Sequence, residues 1–346
     1  MLYEWLMTTI HDVAKAAGVS IATVSARINA SAPVSQALAR RVDMAIERMG
    51  YRPNALAKGL KTGSTFTLGL AVDDLADTVS AAIAQAVVRA ADARGYAVLL
   101  AGGTADGDRA ALEARRVEGM VLVPAPAATR SGRARRGSNV PAVILGEPPE
   151  DAGDDCIGAD HAQAADAAVE HLAALGHGRI ALVIGHGHAP RGERALEGYR
   201  RALARHGFRF LPRLVRVAAQ GSARSRLDGG DQARETVRAL LAAPEWPTAI
   251  VVCGSSLALG MMSALAAAGL ACPAALSIVA LNDAGWMAHA APPLTAVAEP
   301  AREMGSEAVR LLLERRRDGA AAASRRLLLP GALIVRGSTA PPPAAA

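Results

Sequence analysis

The residues whose types and spacing suit chemistry begin at Thr9. Thr9-Ile10-His11-Asp12-Val13 places a hydroxyl where it can accept from the first free N–H groups of a helix. A carboxylate three residues on can return the bond, forming an approximate capping box. Gly18 can take the left-handed conformation that a tight turn requires, and Ala14 is small where a second helix must cross closely. Val19 packs beneath the turn and Ser20 caps the next helix. Val24 faces its core, while Ala22, Thr23, Ser25, Ala26 and Asn29 point outward. The spacing Ala14, Gly18, Val19, Val24 is that of a helix-turn-helix, whose second helix enters the major groove by its N-terminal residues. An ordinary helical hairpin shares any one of these matches but not the whole set. Charge agrees: Lys15, Arg27, Arg40, Arg41, Arg48, Arg52, Lys58 and Lys61 face only Asp12, Asp43 and Glu47 between Met7 and Gly63. Most of the chain's formal +6 therefore sits in its first fifth, as in a polyanion-binding module attached to a near-neutral body. A solvated basic face is the plainer alternative on charge alone.

Other chemistry is weakly signalled. Gly185-His186-Gly187-His188 follows an apolar run, but Pro190 stands where a dinucleotide loop needs its third glycine, and no phosphate-loop lysine exists. His186 and His188 could hold a metal, yet the sequence places no further ligand beside them. Cys156, Cys253 and Cys272 are odd in number and form no C-x-x-C, which supports neither a disulfide framework nor a zinc site. We therefore expect no metal, no cofactor and no catalytic residues, and a reducing, cytoplasmic setting. Met1 to Leu6 lacks the basic and apolar regions of a secretion signal, Met7 could be the start, and no apolar run reaches membrane-spanning length. A cytoplasmic α/β enzyme, or a ligand-binding protein with an accessory basic headpiece, is the alternative class.

These residues must be positioned by something larger, because 346 residues exceed what one core usually organises. A third helix is expected from Ser35, carrying Leu38, Val42 and Ile46 to a stop at Gly50. Beyond Lys61-Thr62-Gly63-Ser64-Thr65 the pattern changes. Strands are expected at Phe66–Val72, Tyr96–Ala101, Val117–Val123, Val140–Leu145, Arg179–Gly185, Ala249–Cys253 and Ser277–Leu281. Helices are expected at Ser80–Arg94, Ala162–Leu175, Glu193–His206, Asp231–Ala243 and Leu257–Ala268. Alternation of this kind implies parallel sheets in two doubly wound lobes, with a ligand cleft between them. Gly102–Asp108 and Ala125–Ser138 look irregular, and 340–346 looks like a disordered tail. The expected division is an extension (1–8), an all-α headpiece (9–53), a hinge helix and linker (54–64), and a two-lobed α/β body (65–339). The chain should cross between lobes near 161, 291 and 325.

The motifs then become specific. Thr9-Ile-His-Asp-Val-Ala, Ala17-Gly-Val-Ser-Ile-Ala-Thr-Val-Ser and Gly50-Tyr-Arg-Pro-Asn-Ala-Leu-Ala resemble the headpiece of the lactose-repressor/galactose-repressor family of bacterial transcription regulators. Val117-Glu-Gly, Val169-Glu-His-Leu-Ala-Ala-Leu-Gly-His, Pro293-Leu-Thr and Val335-Arg-Gly-Ser-Thr extend the resemblance to about Thr339. It implies a periplasmic-binding-protein-like body and a homodimer that grips a palindromic operator in double-stranded DNA. A small-molecule effector would sit in the interlobe cleft, with no membrane involved. Hinge helices at about Asn54 to Leu60 would enter the minor groove, Leu60 acting as a wedge; without the family, Leu56 and Leu60 read as an amphipathic core stripe. The implied DNA contacts are Thr9, Ser20, Ile21, Ala22, Thr23, Ser25, Ala26, Arg27, Asn29, Tyr51, Arg52, Asn54, Ala57, Lys58, Leu60 and Lys61. The implied effector contacts are Asp73, Val79, Ser80, Arg191, Arg194, Ser255, Asn282 and Asp283.

Several positions depart from the family. Ile21 and Ala22 stand where polar side chains are common, and Ala26 stands where an arginine could meet guanine. Arg27 occupies a normally apolar position and is expected to reach solvent or phosphate. Base preference should then lean on apolar contacts and on DNA shape. In the body, Asp77-Thr78-Val79-Ser80 lacks the family's aromatic wall, Gly254-Ser255 lacks a carboxylate, and Ala195 replaces an effector-contacting arginine. The effector is therefore not clearly a sugar.

Overall fold

The computed structural model describes residues 8–29, 31–51, 63–75, 77–103, 105–124, 140–146, 153–185, 189–218, 230–242, 246–318 and 323–343. The chain separates into two compact units, Met1–Phe66 and Thr67–Ala346.

The first unit is a three-helix headpiece: α1 (Ile10–Ala17), α2 (Ile21–Asn29) and α3 (Gln36–Met49). Thr9 caps α1 through the expected box: its hydroxyl accepts from the Asp12 N–H at 3.3 Å, and the Asp12 carboxylate accepts from the Thr9 N–H at 2.9 Å. Gly18 ends the helix at φ 60°, where any side chain would be strained. Val13, Ala14, Ala17, Val24, Val42 and Ala45 form the core, with Ile10, Val19, Ile28, Ile46, Met49 and Tyr51 packed against it. Ser35 precedes α3 but makes no capping bond. The proposed hinge at 54–60, and with it Arg52, Asn54, Ala57, Lys58, Leu60 and Lys61, lies outside the described residues.

The second unit has two six-stranded sheets. One is built from β1 (Thr67–Val72), β2 (Ala97–Ala101), β3 (Met120–Val123), β4 (Ala142–Leu145), β5 (Asp155–Ala159) and β11 (Arg326–Leu329), in the order β11-β5-β4-β3-β1-β2. All of its ladders are parallel. Its helices are α4 (Thr78–Asp92), α5 (Ala105–Ala114) and α10 (Ala301–Asp318). The other sheet repeats the order as β12-β10-β9-β8-β6-β7, from β6 (Ile180–Ile184), β7 (Val215–Val217), β8 (Ala249–Cys253), β9 (Ser277–Ala280), β10 (Thr295–Ala298) and β12 (Ala332–Ile334). Here β12 runs antiparallel to β10. Its helices are α6 (His161–Ala174), α7 (Ala189–Arg205), α8 (Gly230–Leu241) and α9 (Ser255–Ala267). Strands such as Ile180–Ile184 and Ala249–Cys253 are buried at every position, as strands covered by helices on both faces must be. The chain passes between lobes at Asp160, at Glu299-Pro300 and at Pro330-Gly331, the last two later than the sequence suggested.

Two expectations are corrected. The stretch read as irregular at 102–108 contains the start of α5, which buries Leu112 against Val117 and Met120; Gly103 and Gly107 weaken the local helical signal. The tail read as disordered from 340 is docked at its first residue, Ala340. His177 Nε2 and Ser277 Oγ meet the Ala340 carbonyl at 2.8 and 3.1 Å, and the Ala340 N–H donates back to Ser277 Oγ. These bonds span more than sixty residues of sequence, so no local pattern announces them. The segment 125–138 lies outside the described residues.

Candidate nucleic-acid interface and ligand cleft

In the headpiece, α2 turns its Val24 side inward and leaves Ser20, Ile21 and Ala22 exposed at its N-terminus. Ser20 Oγ accepts from the Thr23 N–H at 3.1 Å and lies 2.9 Å from Thr23 Oγ1, which satisfies one free donor of the helix start. Asn29 Nδ2 turns back onto the Ser25 carbonyl at 3.0 Å. Thr9 Oγ1 donates to Asp12 at 2.6 Å, and the Asp12 carboxyl is held below its ordinary range by these bonds from Thr9. Tyr51 packs on the headpiece core. Arg27, expected to reach solvent or phosphate, is 45% exposed and also makes a bidentate pair with Asp43 of α3, at 2.9 and 2.8 Å. A planar guanidinium matches a carboxylate in this fork geometry, and Asp43 lies within reach of the face of α2 that Arg27 occupies. Arg41 of α3 donates to the Gly18 carbonyl at 3.1 Å, bracing the turn. Thus α3 fixes both ends of the turn-helix unit, a role the sequence does not announce because Arg27 and Asp43 lie sixteen residues apart.

The body opens a cleft at the C-terminal ends of its strands, where doubly wound sheets place ligands. It spans about 640 Å³ when the open solvent at its mouth is included. Three of its walls are helix starts. Asp77 caps α4 by accepting from the Ser80 N–H and hydroxyl, both at 2.8 Å. Gly254, at φ 114°, precedes α9 without a side-chain cap, so Ser255 and Ser256 present a helix N-terminus to the cleft. His161 opens α6 and is buried there. Val79, Ala195, Cys253 and Leu281 supply apolar surface. Burial pushes the Cys253 thiol up to about 12, which leaves it un-ionised and inert as a nucleophile.

Two polar groups are incompletely matched. Asn282 is 6% exposed and its Oδ1 has no hydrogen-bond partner among the described residues. Glu299 sits at the second interlobe crossing, 3.8 Å from Arg191 of α7. Burial pushes its carboxyl above the ordinary range, Arg191 pulls it back, and Asp77 pushes it up again. By contrast Asp155 and Arg315, more fully removed from water, close a bidentate pair at 2.7 and 2.6 Å. There burial would raise the Asp155 carboxyl, but hydrogen bonds from Arg315 and the Arg325 N–H hold it below the usual range.

Of the effector contacts suggested by the sequence, Val79, Ser80, Arg191, Ser255 and Asn282 line this cleft. Three do not. Asp283 is held by Arg336 in two bonds of 2.8 Å, Arg194 pairs with Glu197 at 3.9 Å on the surface of α7, and Asp73 is outside the lining, its N–H bonded to the Val123 carbonyl. Glu299, His161 and Ser256 join the site unannounced. The one usable signal for Glu299 is a charged residue directly after the apolar strand Thr295–Ala298. Among the described residues no cluster of His, Cys, Asp or Glu could hold a metal; His186 and His188 lie outside them. No helix among the described residues is long and apolar enough to cross a membrane.

Comparison with known proteins agrees with this architecture. The family profile described as bacterial regulatory proteins, lacI family, matches residues 9–54, and that of a periplasmic binding protein-like domain matches 169–339. The ribose operon repressor of Escherichia coli (strain K12) is 31% identical over 315 residues, covering 89% of this chain and 93% of the relative. Catabolite control protein A of Priestia megaterium is 31% identical over 310 residues, covering 88% and 91%. Among solved structures, the Lac repressor dimer bound to operator and the anti-inducer ONPF matches with a TM-score of 0.76 at 28% identity, over 96% of this chain and 99% of that one. The transcriptional regulator CelR–cellobiose complex matches at 0.67 and 29% identity over the same shares. The chain belongs to the lacI family of bacterial regulatory proteins, and is a DNA-binding transcription regulator with an effector-binding body.

Proposed function

We propose that this regulator acts in the cytoplasm as a homodimeric repressor of a palindromic operator, and that a small polar effector in the cleft sets its operator affinity. The observation that carries the DNA half is the exposed N-terminus of α2, on a headpiece that lies, with the hinge, in the stretch holding most of the chain's net positive charge. Thr9, Ser20, Ile21, Ala22, Thr23, Ser25, Ala26 and Asn29 are its contact residues, Arg27 bracing them from behind. Tyr51, Arg52, Asn54, Ala57, Lys58 and Lys61 serve the backbone, and Leu60 the minor-groove wedge. The dimeric, operator-bound Lac repressor supports the stoichiometry.

The effector half rests on the unpartnered Asn282 Oδ1, since a buried acceptor without a donor costs about 1–3 kcal/mol until a ligand supplies one. Val79, Ser80, Arg191, Ser255 and Asn282, joined by Glu299, hold the effector. His161 and Glu299 flank two of the three interlobe crossings, so a ligand touching both acts on the joints by which the lobes move. The CelR neighbour binds cellobiose, but among the described residues no Phe, Tyr or Trp side chain lines this cleft, and we do not assign a sugar. A catalytic reading has no comparable observation in its favour. The test is footprinting of the purified protein on DNA flanking its own gene. Protection of a two-fold symmetric site supports the proposal, and uniform binding along the fragment would overturn it. Leu60→Ala should weaken the protected site far more than random duplex.

A further inference from the structure

The polar side chains on the outward face of α2 are engaged in local bonds. Ser20 and Thr23 hydroxyls are bonded to each other, Asn29 is folded back on Ser25, and Arg27 is clamped by Asp43. Beside them the helix start presents aliphatic surface: Ile21 is 40% exposed and belongs to no part of the headpiece core, Ala22 next to it is exposed, and the half-buried Ala26 follows one turn later. Single exposed aliphatics are ordinary on protein surfaces, and Met44 of α3 is another, 69% exposed. Ile21 differs in standing at the end of the helix that enters the groove. On the major-groove edges of the base pairs the one apolar feature is the thymine C5 methyl. Guanine O6 and N7, or the cytosine N4 amine, would lose water against Ile21 and gain no partner, which penalises G·C pairs there.

We propose that Ile21, flanked by Ala22, selects thymine through its C5 methyl, so that each operator half-site carries an A·T pair, methyl toward α2, at the bases beneath the start of that helix. The inference rests on the DNA-binding reading and deepens it.

The experiment selects duplexes from a random pool with the full-length protein. It then measures affinity for the selected site after replacing single thymines by deoxyuridine, which removes only the methyl. The expected result is one thymine per half-site whose replacement weakens binding about tenfold, near the low end of the cost of a mismatched pair. Ile21→Ser should bind the thymine and deoxyuridine sites equally while unfolding at the same temperature as the parent. Half-sites without a conserved thymine, or equal affinity for every deoxyuridine site, would overturn the inference while leaving DNA binding intact. A selection that enriches no sequence would overturn the regulator reading beneath it as well.

Discussion

The reading face of the headpiece and the floor of the cleft treat polar groups in opposite ways. On α2 the polar side chains bond inward, to Asp43, to the Ser25 carbonyl and to each other, and the surface offered to a partner is aliphatic. In the cleft, walled by helix starts and apolar side chains alike, Asn282 Oδ1 lacks a partner among the described residues and Glu299 faces Arg191 at a distance too long for a hydrogen bond. The first arrangement is complete before its ligand arrives and suits recognition by shape and methyl contact. The second is incomplete alone, and its ligand restores what burial removed. A third site calibrates both: Asp155–Arg315 is more deeply buried than the cleft pair, yet closes its hydrogen bonds.

Perturbations should separate these three behaviours. The largest effect is expected at the calibrating pair. Asp155→Ala leaves the Arg315 guanidinium buried without its counter-charge and should cost the body about 3–5 kcal/mol in denaturant unfolding. Acid should reproduce this loss in the parent. Because the folded-state carboxyl is held below its ordinary value, its contribution is present above that value and disappears as pH falls through the lowered one.

Next is the headpiece core. Val24→Ala removes a fully buried side chain and should cost about 2 kcal/mol of headpiece stability. Such a loss is large for so small a core, so specific DNA binding should weaken while the body's thermal transition stays where it was. A shift in both transitions would deny the headpiece its separate core.

In the cleft the sign should reverse. Asn282→Leu removes an unsatisfied acceptor and should raise the melting stability of the ligand-free body by about 1 kcal/mol, while abolishing the regulatory response to effector in a reporter strain. Destabilisation instead would mean that the carboxamide is structural. The smallest effect is Glu299→Gln. The folded-state carboxyl is raised, so its ionisation erodes stability as pH climbs from the unfolded value through the folded one. The variant should lack that slope and match or exceed the parent near neutrality. A loss as large as that of Asp155→Ala would erase the distinction between the two pairs.

The headpiece was readable in the sequence because its signals are local: a capping box within four residues, a left-handed glycine, and apolar spacing over one or two turns. The parallel lobes were readable because buried strands such as Ile180–Ile184 are uniformly apolar. What escaped depends on distant partners. Asp283, an expected effector contact, is also held by Arg336, fifty-three residues away. Arg27, expected to reach solvent or phosphate, has Asp43 of α3 as its ion-pair partner. Glu299 entered the cleft only because the chain crosses between lobes there, eight residues after the expected position. The tail at Thr339–Ala340 is held by His171, His177 and Ser277, which no terminal pattern reveals.

The central claim is that the headpiece reads DNA sequence with a face whose affinity comes from charge and whose selectivity comes from shape and methyl contact. It is tested most directly by fluorescence anisotropy of the full-length protein on its selected site and on a scrambled duplex between 50 and 200 mM salt. The account predicts steep, similar salt slopes on both duplexes, with losses on the order of a thousandfold across that range, and a preference for the selected site that persists at every salt concentration. Equal affinity for the two duplexes throughout, or binding that ignores salt, would contradict it.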